Sequence, residues 1–199
     1  MQTVLIAPPS SDDLDFTEAF DGSARASLPL EARSEEEKQE IIVGAAELHR
    51  VGYYVNIAQR AKKVASLPPG TKYSVLCIDD DTALVGVLAK KLQLDGYAVR
   101  TASDRHEIVT ELRNPLPPHL ILLDVGLPGF SGFDLLVKLR QNPKLGSVPV
   151  IMLTGHVSPQ DVLHGMASGA DGYISKPFEF DALTSAIETV LGVQSRPSG

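Results

Sequence analysis

Tyr73-Ser-Val-Leu-Cys-Ile-Asp-Asp-Asp81 is a short apolar run rich in β-formers that stops abruptly on three aspartates. From Val75 to Ile78 no polar residue interrupts it, so the strand it predicts is covered on both faces. His119-Leu-Ile-Leu-Leu-Asp124 repeats the arrangement, again ending on an acid. Val148-Pro-Val-Ile-Met-Leu153 and Tyr173-Ile-Ser175 are further runs of the same kind, and Tyr97-Ala-Val-Arg-Thr101 supplies another strand after the first.

Between these runs the pattern turns helical. Thr82 to Leu94 carries apolar residues at Leu84, Val85, Leu88, Leu92 and Leu94, and Gly96 stands where a helix ends. Ser103 with Glu107 opens a second helix, closed by Asn114-Pro115. Others are predicted from about Ser131 to Gln141, from Ser158-Pro159 to Gly169, and from about Glu179 to Leu191. Five strands alternating with five helices define an α/β fold with a doubly wound parallel sheet. Right-handed crossovers put every strand's carboxyl end on one edge, where ligands bind in such sheets.

That edge collects Asp79, Asp80 and Asp81, then Asp124, Thr154 and Lys176, from four different strands. Any one aspartate alone reads as a turn or N-cap residue, and Lys176 alone as a solvated charge. Their joint placement points to chemistry. Converging carboxylates repel unless a divalent cation sits among them, and Mg²⁺ prefers such oxygen ligands. A lysine and a hydroxyl beside that cation suit a phosphoryl group, and a carboxylate there can attack phosphorus as a nucleophile.

Residues 72–193 resemble the receiver domain of two-component response regulators. The resemblance is carried by Val75-Leu-Cys-Ile-Asp-Asp-Asp81, Leu122-Leu-Asp-Val-Gly-Leu-Pro-Gly-Phe-Ser-Gly132, Val150-Ile-Met-Leu-Thr-Gly155 and Gly172-Tyr-Ile-Ser-Lys-Pro-Phe178. It implies the strand order 2-1-3-4-5. Asp124 then resembles the phosphoacceptor, with Asp79, Asp80, Asp124 and the backbone carbonyl of Gly126 around Mg²⁺. Thr154 and Tyr173 resemble the switch pair, Lys176 the phosphoryl-pairing lysine, and Pro177 follows a cis bond. Gly126 and His156 occupy positions that vary in the family and tune phosphoryl lifetime. The implied partners are a sensor histidine kinase or histidine phosphotransfer protein and a downstream protein target met by residues 156–190. The only catalysis implied is the domain's own phosphorylation and dephosphorylation, so it is not an enzyme in the ordinary sense.

Two rivals stand beside this. One is a receiver fold kept as an interaction module without phosphorylation. The other is a haloacid-dehalogenase-type phosphohydrolase, whose Asp-x-Asp motif Asp79 and Asp81 imitate. That reading meets Ala83 where Thr or Val is usual and leaves Asp124 unexplained.

The chain divides at Ser66-Leu-Pro-Pro-Gly-Thr71. Residues 1–33 read as poorly structured, 34–70 as a helical extension, 71–193 as the receiver and 194–199 as a tail. In the extension, Ser34-Glu-Glu-Glu37 reads as a cap and first turn, with Ile41, Ile42, Ala45 and Leu48 on one side. It is expected to pack on the receiver, to form a homodimer or to dock a partner; a small helix-turn-helix with Gly52 at the turn is the reading the acidic balance favours least. Nothing after Leu191 resembles an output domain.

The formal net charge of −7, among 43% hydrophobic and 22% charged residues, argues against a nucleic-acid partner. Cys77 as the one cysteine suits a reducing compartment and reads as a buried apolar residue. With no basic leader and no long apolar run, no membrane partner is expected and the cytoplasm is the expected location.

Overall fold

A computed structural model describes Leu67, Pro68, residues 70–155, Gly165 and residues 168–193. The expectations for residues 1–33, for most of 34–70, for His156, for most of the helix from Ser158 and for the tail 194–199 lie outside the described residues. The elements in order are β1 (Ser74–Ile78), α1 (Thr82–Leu94), β2 (Ala98–Ala102), α2 (Arg105–Leu112) and β3 (Leu120–Asp124). They continue with α3 (Gly132–Gln141), β4 (Val150–Thr154), β5 (Gly172–Ser175) and α4 (Phe180–Leu191).

All strand pairs are parallel, in the order β2-β1-β3-β4-β5. The uninterrupted apolar runs are explained by two separate cores. Leu76, Ile78, Ile121, Leu123, Met152 and Tyr173 enter one, against α2 and α3. Val75, Cys77, Leu120, Leu122, Ile151, Leu153 and Ile174 enter the other, against α1 and α4. Alternate residues of one strand thus serve opposite layers, and each must be apolar. Cys77 is one of them, and burial, followed by the Asp79 charge, pushes its thiol up to about 12. It is an inert packing group.

Local chemistry sets the element ends. Asp81 caps α1, its carboxylate accepting from the backbone N–H groups of Ala83 and Leu84 at 3.0 Å each. Gly96, at φ +94, closes the same helix, with Tyr97 N–H bonded back to the Leu92 carbonyl at 3.0 Å. Helix α2 corrects the expected cap. Asp104 takes that place by accepting from Glu107 N–H at 2.8 Å, while Ser103 donates its N–H to the Glu107 carboxylate at 2.7 Å. β4 begins at Val150, not Val148, because Pro149 has no N–H to give the ladder. Among the described residues no helix is long and apolar enough to cross a membrane.

Candidate functional site

β1 and β3 lie side by side at the centre of the sheet, so the acids that follow them meet. Asp79, Asp80 and Asp124 each offer a carboxylate oxygen within 4.8 Å of the others. Asp79 and Asp124 are buried and Asp80 is exposed, giving a pocket with buried walls and one solvent-facing ligand. This donor set, all oxygen and with one member open to water, fits a hard divalent cation.

Asp81, the third acid of the run, does not join them. Its side chain is committed to capping α1, although its own N–H donates to Asp79 Oδ1 at 3.1 Å and helps to orient that carboxylate.

Lys176 arrives from the end of β5. Its Nζ lies 2.5 Å from Asp79 Oδ2 and 2.6 Å from Asp124 Oδ1. The other Asp124 oxygen, Oδ2, accepts the N–H of Gly126 at 2.5 Å. Both oxygens of Asp124 are therefore oriented by donors, and a lysine bridges the two buried acids. Burial pushes the Asp79 carboxyl up, and the hydrogen bond and charge of Lys176 only partly offset it. Burial opposes the charge on Lys176, but its bonds to Asp124 and Asp79 outweigh that and raise its pKa. The Lys176–Pro177 peptide bond is cis.

Thr154 ends β4, buried beside the same edge, and its carbonyl accepts the Lys176 N–H at 2.6 Å. Tyr173 is fully buried in the α2–α3 core. A Cβ on Gly165 would stand 3.1 Å from the Tyr173 ring and 3.2 Å from the Phe133 ring, so a larger residue there would press on both rings. Gly126 is exposed, and a Cβ there would stand 3.3 Å from Asp124 Oδ2. The structure thus brings Asp79, Asp80, Asp124, Gly126 and Lys176 together at one edge, with Thr154 next to them and Tyr173 in the layer beneath.

Two supports were not read from the sequence. Gly132 lies so close behind Asp124 that a Cβ would overlap the Asp124 carbonyl, and its N–H donates to Val125 at 2.9 Å. The signal was the terminal glycine of Leu127-Pro-Gly-Phe-Ser-Gly132, whose backbone approach no spacing rule supplies. The second is Arg140, which donates to the carbonyls of Gly169 and Val148 and to Asp171 Oδ2 at 2.8, 2.9 and 2.8 Å.

The family profile described as response regulator receiver domain matches residues 75–188. The DNA-binding dual master transcriptional regulator RpaA of Synechocystis is 36% identical over 117 residues, covering 59% of this chain and 48% of its own. The phosphate regulon transcriptional regulatory protein PhoB of Rhizobium meliloti is 35% identical over 117 residues, covering 59% and 51%. The match therefore spans about half the length of these curated relatives. Among solved structures, the chemotaxis response regulator CheY4 of Vibrio cholerae aligns with a TM-score of 0.57 and 31% identity, covering 61% of this chain and 100% of that one. The expectation that nucleic acid is no partner draws no support from relatives named as DNA-binding.

Proposed function

The chain belongs to the response regulator receiver domain family, and on that premise we propose that Asp124 accepts a phosphoryl group and thereby switches a protein-binding surface. The observation that carries this reading is the bridge of Lys176 between Asp79 and Asp124 with Gly126 N–H on the remaining oxygen. A carboxylate so placed is a pre-aimed nucleophile beside a fixed cation.

An Asp124 oxygen attacks the phosphorus of a phosphohistidine. The new O–P bond forms as the N–P bond breaks, and the electron pair leaves on the imidazole nitrogen. Lys176 pairs with the oxygens of the incoming group. Asp79, Asp80, Asp124 and the Gly126 carbonyl would hold Mg²⁺, which when bound supplies charge stabilisation to the transferring oxygens. Thr154 and Tyr173 carry the change inward, since phosphorylation favours one of two arrangements. The donor is a sensor histidine kinase or a histidine phosphotransfer protein, and the recipient of the signal is a downstream protein. The setting is cytoplasmic. Catalysis is confined to the domain's own phosphorylation and hydrolysis.

The phosphohydrolase alternative needs Asp79 and Asp81 to work as a pair. Asp81 caps a helix instead, so that pairing is not favoured.

Incubation with magnesium and a small phosphodonor, followed by intact mass, tests the proposal. One phosphate adduct on the wild type, absent in Asp124→Asn, is expected. A wild type that takes no phosphate leaves an interaction module, and sustained turnover of a phosphomonoester points to a hydrolase.

A further inference from the structure

Asp79-Asp80-Asp81 sends three acids toward one edge, yet the carboxylate of the third stays out of the cluster. What Asp81 does instead is written in the backbone. Asp79 is fixed to the sheet, its N–H donating to the Ala102 carbonyl at 3.2 Å, one residue beyond β1. Its Oδ1 then accepts the N–H of Asp81, two residues on, at 3.1 Å. Asp81 Oδ1 in turn accepts the N–H of Ala83, again two residues on, and that of Leu84, at 3.0 Å each. Two Asx turns therefore overlap at Asp81, the first closed by its N–H and the second by its carboxylate. The carbonyl of the same residue accepts from Val85 N–H at 2.9 Å and opens the ladder of α1.

Main chain and side chain of Asp81 thus hold the two ends of the passage from β1 into α1. Turning its backbone would swing the N–H off Asp79 Oδ1 and remove one of the donors that orient this buried carboxylate, leaving Lys176 on Oδ2. Asp80 stands between the two turns. It is exposed and Lys176 does not bond to it, so the backbone on either side aims its carboxylate. Groups that orient a ligand contribute to metal affinity without touching the metal, and losing one typically weakens binding by about ten- to a hundredfold. On the reading of Asp79, Asp80 and Asp124 as Mg²⁺ ligands, we propose that Asp81 is a positioning residue for that site. By capping α1 it fixes the direction of its own N–H, and with it the carboxylates of Asp79 and Asp80. The effect comes from the cap and not from the charge.

Calorimetric titration of the full chain with magnesium chloride, in about 0.15 M salt, tests this on wild type, Asp81→Ala, Asp81→Asn and Asp81→Ser. Alanine cannot cap a helix, whereas asparagine and serine cap well and carry no charge. Asp81→Ala should bind magnesium about tenfold more weakly. Asp81→Asn and Asp81→Ser should stay within about threefold of wild type, the scale of losing one exposed, screened charge near the ion. Far-UV circular dichroism at the titration temperature establishes that each chain is folded, so a general loss of stability does not enter the affinities. Wild-type affinity in Asp81→Ala would overturn the proposal, since a cap that only stabilises α1 leaves the metal untouched. Equal weakening in all three variants would overturn it as well, because charge would then be the cause. A wild type that takes up no magnesium would bring down the metal reading itself, and the positioning role with it.

Discussion

Lys176 is held 2.5 Å from Asp79 and 2.6 Å from Asp124, so two buried carboxylates share one cation. Removing it leaves like charges facing one another in a poorly hydrated pocket. Lys176→Met should therefore cost about 2–3 kcal/mol at neutral pH without divalent ions, and saturating magnesium should narrow that deficit. Urea titrations with and without magnesium measure both. A deficit that the metal does not change would contradict the shared-cation account. At the far pole His119 poses a pH question. Its Nδ1 lies 3.0 Å from Ser74 N–H and 2.8 Å from Ser74 Oγ, so it acts as an acceptor and the ring is neutral. Burial, then the Arg100 charge, holds its pKa below the ordinary 6.5. The unfolded chain binds the proton first, so this contact stabilises fully above pH 6.5 and is lost as pH falls below it. His119→Gln, neutral throughout, should lose less stability than wild type as pH falls below 6.5. Parallel stability curves for the two chains over that window would disprove the linkage. No sequence spacing announced this contact, because its partners are 45 residues apart and meet only through the β1–β3 pairing.

Elements here are joined by a few groups whose roles come from packing, and these were the least legible in the sequence. Helix α1 matched its predicted bounds and buries Val85, Leu88 and Leu92 of its predicted stripe, while Leu94 stands exposed at its last turn; α3 began at its serine cap, because periodicity and capping act over a few neighbours. Strand bounds drifted by a residue or two, since a strand ends where its neighbour's ladder ends, as Pro149 shows at the start of β4. Gly132 is the sharper case. Its α-carbon lies against the Asp124 carbonyl, so Gly132→Ala must push α3 away from β3. The substitution should cost about 1–3 kcal/mol, in the range for overpacking, and slow phosphate uptake by displacing Asp124. Denaturation together with adduct formation over time measures the two effects, and an unaltered uptake rate would dismiss the positional part. Asp171 is the complementary test. One of its oxygens accepts from both Arg140 and Val150 N–H, at 2.8 Å each, linking α3, β4 and the approach to β5. Asp171→Asn weakens a largely buried ion pair and should cost about 3 kcal/mol with the site residues themselves unchanged.

Across the whole molecule, fold and site were legible for one reason. In a parallel sheet both faces are covered, so the strands stand out as uninterrupted apolar runs, and every functional group follows the end of such a run. Asp79, Asp124, Thr154 and Lys176 could be placed on one edge before any coordinates, whereas composition and spacing alone do not separate Asp81 from its neighbours, and only the family resemblance left it out of the metal set. Only the structure shows it turned to the helix while Asp80 stays open. That division of labour makes a global prediction. A cation that binds the folded carboxylate cluster, and not the dispersed carboxylates of the unfolded chain, stabilises the entire domain by mass action. Magnesium at a hundredfold its Kd should add about 2.7 kcal/mol, raising Tm by roughly 10 °C for a domain of this size. Asp80 is exposed and Lys176 does not bond to it, so Asp80→Asn should leave the metal-free stability within about 0.5 kcal/mol of wild type. The same variant should lose most of the magnesium-dependent rise in Tm, because one of three carboxylate ligands is gone. Thermal melts of both chains across a magnesium series separate the outcomes. An equal rise in both would remove Asp80 from the metal site, and no rise in wild type would remove the metal site itself.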